Sequence, residues 1–383
     1  MENHWAPKPR SIVEFFEEMT DPRVNRTRVH RLTDILVIGL CSILTGGEGF
    51  NDMELFGRIK LEWLKTFLQL PHGIPSHDTF NRVFSALDPR HFMDCFVRWV
   101  RGICPNLEGE VVAIDGKAVR RALDEGASIP HIVSAWASEH GLTLGQVKVN
   151  DKSNEITAIP ELLDALALQA AIVTIDAMGC QKEIAAQIVE KKADYVLALK
   201  GNHPALHEEI EQFFADAVPP CATEPAPTIA PHSMAFFQTI DKGHGRIETR
   251  RYWQSCDIDW IHDKKLWKNI RTIGMVESIR CVKGKNTIER RYYLASLPLE
   301  PALFAKAVRG HWGVENPLHW TLDVTFREDQ SRARAKNAAQ NLAALRRIAL
   351  NLIKKNPREK VSQRQKRIMA ALDTAFLGQL LGI

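Results

Sequence analysis

Long apolar runs are missing from this sequence, and so is any pairing pattern among its cysteines. The longest apolar stretch, residues 35–44, is interrupted by Gly39 and is far shorter than the roughly 20 residues of a membrane-spanning helix. We therefore expect a buried core helix there and no membrane partner. The seven cysteines are odd in number and scattered, and no two are spaced as Cys-x-x-Cys. Neither a zinc site nor a disulfide framework is predicted.

A strong net charge is also lacking, because 50 lysines and arginines stand against 46 acids, which gives +4. Their distribution is uneven: between Ser331 and Arg367 twelve basic residues accompany one acid, Glu359. This stretch favours a polyanionic partner, nucleic acid before membrane, and Arg346 and Arg347 are its candidate phosphate contacts. The chain does not begin with a signal peptide, so we expect a cytoplasmic protein.

Two apolar, β-branched runs each end in an aspartate. Residues 111–114 lead into Asp115 and Gly116, and residues 171–175 lead into Asp176. Such runs predict buried strands, and two of them can bring two carboxylates together at one edge of a sheet. Carboxylate oxygens are ligands that suit Mg²⁺ or Mn²⁺. For either aspartate alone, capping of the following turn is the simpler interpretation, but the pair favours chemistry.

The order of elements predicts an α/β fold. Residues 1–105 are expected to be all helical and to include a helix-turn-helix-like unit that could contact DNA. Residues 106–202 then give three strands in a meander and two βα units. This is the ribonuclease H-like layout, in which the first and fourth strands are parallel neighbours. Residues 203–300 are predicted to form a β-rich insertion in that domain, and residues 301–383 return to helix.

A third acid of interest, Glu315, lies in the helical segment after residue 301. At helical spacing it shares a face with His311 and His319. Because Pro317 removes a backbone hydrogen bond, we expect either a kink beside Glu315 or a new helix from Asn316. Three later acids compete with Glu315 as a metal ligand: Asp323, Glu328 and Asp329. The 13 positions from 315 to 328 would span roughly 20 Å of helix, so one site cannot use both ends.

Several cationic or imidazole side chains are candidate phosphate or DNA contacts. Lys117 and Lys200 lie at or just past predicted strand ends, where an ammonium can hold a phosphate, although a solvated lysine is an equal alternative. Arg246 lies on a predicted strand, where surface ion pairing with Glu248 is the alternative. The imidazoles near Glu315 could orient a phosphate or a water molecule.

Motifs along nearly the whole chain match one family. They are GIPSHDTF at 73–80, IDGK at 114–117, LKGN at 199–202, HGRIE at 244–248 and HWGVENPLHWTLDV at 311–324. Together they resemble the DDE-class insertion-sequence transposases, specifically the H-repeat-associated group. Larger relatives carry tyrosine, arginine and lysine around the last acid, where this chain has Val308, His311 and Leu322.

The resemblance implies Asp115, Asp176 and Glu315 as the catalytic triad and as ligands of two Mg²⁺ ions, with Mn²⁺ able to substitute. It also implies that residues 301–383 complete the catalytic core. The partner would be double-stranded DNA, both transposon ends and target, bound by a homodimer or larger assembly at the bacterial nucleoid. Two alternatives stay open: a ribonuclease H-like nuclease or resolvase that cuts without joining strands, and an inactive DNA-binding remnant of a mobile element.

Overall fold

The computed structural model describes residues 10–120, 129–149, 154–218, 233–243, 246–282, 285–358 and 360–383. Its α-helices are α1 Ile12–Glu17, α2 Leu32–Thr45, α3 Phe50–Ile59, α4 Leu61–Leu64, α5 His77–Ala86, α6 Pro89–Ile103, α7 Glu155–Ala165, α8 Lys182–Glu190, α9 Pro204–Ala217, α10 Pro301–His311, α11 Thr321–Val324, α12 Ala338–Lys355, α13 Gln363–Leu372 and α14 Thr374–Leu381. Its strands are β1 Val111–Ala118, β2 His131–Ala137, β3 Leu142–Lys148, β4 Ile172–Ile175, β5 Asp194–Leu199, β6 Met234–Gly243, β7 Arg246–Ser255, β8 Thr272–Val282 and β9 Lys285–Ala295. A π-helix, Val314–Trp320, follows α10.

The chain forms two compact units. The first consists of Met1–Asn106, Gly116–Asn154 and Glu315–Ile383, and the second of Leu107–Asp115 and Glu155–Val314. Both units are discontinuous in sequence. Two of the points where the chain passes from one unit to the other lie directly beside predicted catalytic residues, Asp115 and Glu315.

The first unit is built around two helices that are buried on nearly every side. Thirteen of the 14 residues of α2 and 15 of the 18 residues of α12 are buried, which is the pattern of central helices and not of surface ones. The stretch 35–44 lies within α2, so the predicted core helix is confirmed. Within the described residues no single helix is long and apolar enough to cross a membrane. Only α2 and α3 taken together, with a 95° bend between them, reach the length and apolar composition of a membrane span.

Side-chain amides fix α12 to its neighbours in the first unit. Asn351 accepts a hydrogen bond from the backbone N–H of Thr143 at 2.9 Å and donates to the carbonyl of the same residue at 2.8 Å. Asn341 donates to the carbonyls of Phe84 and Leu87, at 2.8 and 2.9 Å. These bonds join α12 to the edge of β3 and to the end of α5.

Two N-terminal helices begin at side-chain caps. Ser76 caps α5 through a hydrogen bond from Thr79 N–H, and Asp88 caps α6 by accepting the N–H of Arg90 at 2.9 Å. Residues 50–64 form two helices and not one. That region contains α3 and the short α4, because Lys60 leaves the helical conformation at φ −101°, ψ 17°.

The second unit contains a sheet of seven strands in the order β1-β4-β5-β9-β8-β7-β6, and β1 is also the neighbour of β2 in the first unit. Strand β1 runs parallel to β4, and β4 parallel to β5, which confirms the predicted parallel pairing of the first and fourth strands. All four residues of β4 are buried, as expected for a parallel strand covered on both faces.

The predicted β-rich segment forms four antiparallel strands, β6 to β9. Its last strand, β9, pairs with β5, so the segment extends the sheet and is not a separate module. Helix α10 covers this part of the unit, and Phe304 packs among Tyr252, Val276 and Tyr293 in the core.

Candidate active site

Asp115 and Asp176 follow neighbouring parallel strands at matched positions. The register of β1 and β4 pairs Ile114 with Ile175, so each aspartate is the next residue on its chain. Asp176 has extended backbone angles, φ −67° and ψ 179°, and therefore continues the direction of β4. Both side chains are half-buried. The structure thus brings these two predicted residues to the same end of adjacent strands.

The turn after Asp176 is held on both sides. Asp176 Oδ1 accepts the N–H groups of Met178 and Gly179 at 3.1 and 3.4 Å, which is the capping role considered as the alternative. Asn202, from the predicted LKGN motif, donates to the carbonyl of Ala177 at 2.6 Å. Both N–H groups bind the same carboxylate oxygen of Asp176, and among the described residues no hydrogen-bond partner of the other oxygen, Oδ2, is seen. Capping and ligand binding are therefore compatible at this residue.

The charge environment of Asp176 favours a cation. Burial and the nearby carboxylate of Glu155 raise the pKa of Asp176, while its two backbone hydrogen bonds and Lys200 act in the opposite direction. A bound cation would relieve the repulsion between the two carboxylates. Lys200 is exposed at the end of β5, so its predicted phosphate contact stays a prediction with suitable geometry. Sequence reasoning missed Glu155, which begins α7.

Within the described ranges, no group of three or more His, Cys, Asp or Glu side chains is arranged to hold a metal ion. This does not conflict with Mg²⁺, which is commonly bound by one or two carboxylates together with water and substrate phosphates. The donor set of Asp115 and Asp176, two hard oxygen ligands at adjacent strand ends, fits such an ion. The residues present are therefore compatible with the implied metal.

Glu315 lies in the first turn of the π-helix and is exposed. The π-helix takes in Pro317, and it follows α10 after a turn at Trp312 and Gly313. This is the predicted disturbance beside Glu315, and π-turns inside helices are frequent at functional sites. The flanking positions Val308 and Leu322 are buried core residues. The role of Glu315 as third metal ligand stays a prediction.

The two predicted imidazoles are neutral near pH 7. His311 Nδ1 lies 3.1 Å from Thr174 Oγ1. Burial lowers the pKa of His311 to about 4 and Arg291 adds to the effect, although a hydrogen bond with the backbone of Thr174 acts in the opposite direction. For His319, burial, Arg347 and other nearby cations lower the pKa to about 3. Neither ring brings positive charge to a phosphate at neutral pH. Their predicted phosphate contacts are limited to hydrogen bonding.

The low pKa of His311 predicts acid sensitivity. Because the folded protein resists protonation at this ring, it binds fewer protons than the unfolded chain between pH 6.5 and 4. The neutral His311 ring therefore contributes to the unfolding free energy, fully above pH 6.5 and progressively less as the pH falls toward 4. We expect this contribution to be about 1–3 kcal/mol. Denaturant unfolding of wild type and His311→Gln at several pH values measures it. The variant should show a shallower loss, whereas His91→Gln, at an exposed ring, should follow wild type; equal slopes for all three would contradict the assignment.

The structure places Lys117 among carboxylates and not at an open strand end, so it does not support the predicted phosphate contact. Its side chain is 8% exposed, and its Nζ lies within ion-pair distance of three carboxylates: Asp323 at 2.7 Å, Asp329 at 3.1 Å and Glu328 at 3.3 Å. The partners are more than 200 residues away in sequence, so the strand pattern around Lys117 could not reveal them. The same contacts engage the three acids that competed with Glu315.

Arg346 and Arg347 do not contact DNA from the surface, which corrects a second prediction. Both guanidinium groups are buried inside the first unit. Arg346 donates to the carbonyl of Glu48 at 3.0 Å, and Arg347 pairs with the fully buried carboxylate of Glu328 at 2.9 Å. Burial raises the pKa of Glu328, but Arg347 and Lys117 outweigh it and lower the pKa to about 2.

Most other cations of the basic stretch are at the surface. Lys366 and Arg367 are buried, and Lys354 is half-buried over the ring of Trp136. The exposed members are Arg332, Arg334, Lys336, Lys355, Arg358, Lys360 and Arg364. A polyanion can therefore reach the stretch through these seven side chains.

The ion pairs expected on the insertion strands are present. Glu248 pairs with Arg250 on the same face of β7 and with Arg280 across the sheet at 3.1 Å. Arg250 also contacts Asp241, at 2.5 Å. Arg246 begins β7, but its side chain, like His244 and Gly245, lies outside the described residues. Its predicted DNA contact therefore stays a prediction.

Comparisons with known proteins identify the family of the chain. The family described as "Transposase DDE domain" matches residues 106–352, and the family described as "DDE_Tnp_1-associated" matches residues 13–100. The chain belongs to the DDE transposase family. The first match contains Asp115, Asp176 and Glu315, and the second lies within the predicted helical N-terminal domain, residues 1–105.

Relatives extend the family assignment over the full chain. "Putative transposase YncI" of Escherichia coli O157:H7 is 38% identical over 97% of this chain and 94% of its own length. "H repeat-associated putative transposase YhhI" of Escherichia coli K12 is 36% identical over 97% of this chain and 98% of its own length. The cryo-EM structure of the piggyBac transposase synaptic complex with hairpin DNA matches 96% of this chain and 76% of its own, at TM-score 0.44 and 12% identity. We draw no conclusion from that last, loose superposition.

Proposed function

We propose that this protein is a transposase that cuts the ends of its mobile element and joins them to target DNA in a metal-dependent reaction. The observation that carries the proposal is the β1–β4 register, which puts Asp115 and Asp176 at matched strand ends. The neighbour relations of β1 with β2 and β4, and the parallel pairing of β4 with β5, support a ribonuclease H-like core. Glu315 is the proposed third acid of the triad.

The chemistry follows from what these side chains can hold. Mg²⁺ bound by the acids would supply positive charge to the phosphate under attack and lower the pKa of an attacking water. Asp115 and Asp176 provide hard oxygen ligands, and the carboxylate of Glu155 makes the pocket more favourable for positive charge. Lys200, exposed beside Asp176, would hold a DNA phosphate as a point charge. The chain itself therefore binds and orients the reacting phosphate.

A cut-and-join assay tests the proposal. Full-length protein is incubated with linear DNA that carries both ends of the encoding element, a supercoiled target, and either Mg²⁺ or EDTA. We expect cut ends and joined products with Mg²⁺ and neither with EDTA. Cutting without joined product would support the nuclease alternative, and DNA binding without cutting would support an inactive remnant. Either result would overturn the proposal.

The DNA path is proposed to cross a cavity in the first unit. Arg332 and Arg334, two exposed members of the basic stretch, line a cavity of about 480 Å³. The first turn of α3 contributes Asn51 to the same walls, and α5 contributes Asn81. Glu48, Asp52 and Asp78 also line the cavity, so the arginines are needed to make it attractive to a phosphate backbone. The basic C-terminal stretch and the helical N-terminal domain, both expected to contact DNA, meet here.

Salt dependence measures this contact. Removing both charges, as Arg332→Gln with Arg334→Gln, should reduce the slope of log Kd against log salt concentration by about 1.8, since each phosphate contact contributes roughly 0.9. Fluorescence anisotropy with a labelled element end between 50 and 300 mM salt gives the slope. The matched change Lys264→Gln with Lys265→Gln, in the second unit, should leave it unaltered. An unchanged slope in the arginine variant would exclude this cavity from the DNA path.

A further inference from the structure

A network of charged side chains joins four elements of the first unit. Lys117 on β1 contacts Asp323 on α11 and also Glu328 and Asp329 in the short helix Glu328–Gln330. Glu328 is fully buried and binds Arg347 on α12. The network therefore holds the chain segment 323–329 against both β1 and α12.

Arg347 extends the network to β2. Its Nε donates to Ser134 Oγ at 3.1 Å, and its Nη1 donates to the carbonyl of Ala343 at 3.1 Å. Arg120 lies 3.6 Å from Asp329 and adds a third positive charge. Three carboxylates are thus balanced by three cations. Such balance is required because an uncompensated buried charge costs several kcal/mol.

The ammonium of Lys117 is suited to its place at the centre. It has three N–H donors and can serve three acceptors at once. Without it, Asp323, Glu328 and Asp329 would be left close together with like charge. Repulsion among them would push the 323–329 segment away from β1.

The network lies next to two predicted catalytic acids along the chain. Lys117 comes two residues after Asp115, so the alternation of a strand puts both on one face of β1. Asp323 comes eight residues after Glu315 in the continuous stretch of π-helix and α11. Each end of the Lys117–Asp323 contact is therefore close in sequence to an acid of the proposed triad.

We propose that Lys117 is a positioning residue for the metal-binding acids. It fixes the segment that follows Glu315 to the strand that leads out of Asp115, and it touches neither DNA nor metal. This inference rests on the proposed function. Replacing Lys117 should make the positions of the acids less fixed and lower their affinity for the cation, while the affinity for DNA should be unaffected.

The test measures DNA cutting as a function of Mg²⁺ concentration for wild type and Lys117→Met. We expect the variant to need about 10- to 100-fold more Mg²⁺ for half-maximal cutting, the range seen when a partner of a metal ligand is removed. Its Kd for DNA and its salt slope should match wild type. Lys65→Met, at an exposed lysine paired with Glu62, should change neither quantity.

A second variant distinguishes the positioning role from simple unfolding of the protein. Asp323→Asn removes one contact to Lys117 at a partly exposed position, and it should also raise the Mg²⁺ requirement while circular dichroism shows a folded protein. If the wild type cuts DNA but both variants keep its Mg²⁺ requirement, the positioning role is wrong. A weaker Kd and smaller salt slope with unaltered Mg²⁺ requirement would show instead that Lys117 binds phosphate. Failure of the wild type to cut would count against the proposed function and not against this role.

Discussion

Replacing Asp115 or Asp176 by asparagine is expected to lower the rate of DNA cutting by about 10³-fold or more, because residues that act as one catalytic unit each cost that much when removed. Asparagine keeps the shape of the side chain but removes the charge that would hold a divalent cation. Affinity for DNA should persist, since the exposed arginines at the first-unit cavity are untouched. Single-turnover cutting of labelled element ends, with Kd measured in parallel, separates the two effects.

Glu190→Gln provides the matched control for those variants. Glu190 is an exposed acid at the end of α8 in the second unit, and its loss should leave the cutting rate within about twofold, as for surface substitutions away from special features. Cutting at the wild-type rate by Asp115→Asn would exclude this residue from the site. Glu315→Gln belongs in the same series, and only a comparable loss would support its place in the triad.

Replacing Arg347 by methionine is expected to lower the unfolding free energy by about 3–5 kcal/mol, the cost of breaking a buried ion pair and leaving one charge behind. Glu328 would remain inside the first unit without its closest cation, with Lys117 at 3.3 Å and Arg346 as the cations that still act on it. Arg58→Met removes an exposed arginine that pairs with Glu54, and it should cost no more than about 1 kcal/mol. Urea unfolding of the three proteins gives both values.

A double variant shows whether the loss comes from the pair itself. Arg347→Met with Glu328→Leu removes both charges, so it should be more stable than Arg347→Met alone although it contains one more substitution. The coupling energy from this cycle isolates the interaction from side-chain packing. A double variant that loses the sum of the two single losses would show that the two charges do not act together.

Local patterns predicted the strands that carry Asp115 and Asp176 because the signal there is contained in a few adjacent residues. Short β-branched runs predict buried strands, and the parallel neighbours β1 and β4 followed from the order of elements. The departure from regular α-helix near Glu315, seen as the π-helix, was likewise predictable, because Pro317 cannot complete a regular helical hydrogen bond. For the strands themselves and for the segment around Glu315, the physical cause lies in the adjacent residues of the sequence.

The charged interior of the first unit could not be predicted in this way. Arg346 and Arg347 lie in an amphipathic pattern whose polar face is normally solvated, but α12 is buried on nearly every side and its arginines bind Glu48 and Glu328. Lys117 finds its partners more than 200 residues along the chain. Composition and periodicity report which side chains are polar, but only the fold determines which of them meet.

If Asp115 and Asp176 hold a divalent cation together, Mn²⁺ titrated into the full-length protein should bind there, and electron paramagnetic resonance measures the bound fraction directly. We expect wild type and Glu190→Gln to bind Mn²⁺ equally. Asp115→Asn and Asp176→Asn should each weaken binding by about tenfold or more, since even partners of metal ligands cost that much. Equal Mn²⁺ affinity in all four proteins would contradict the assignment of these two aspartates as the metal site.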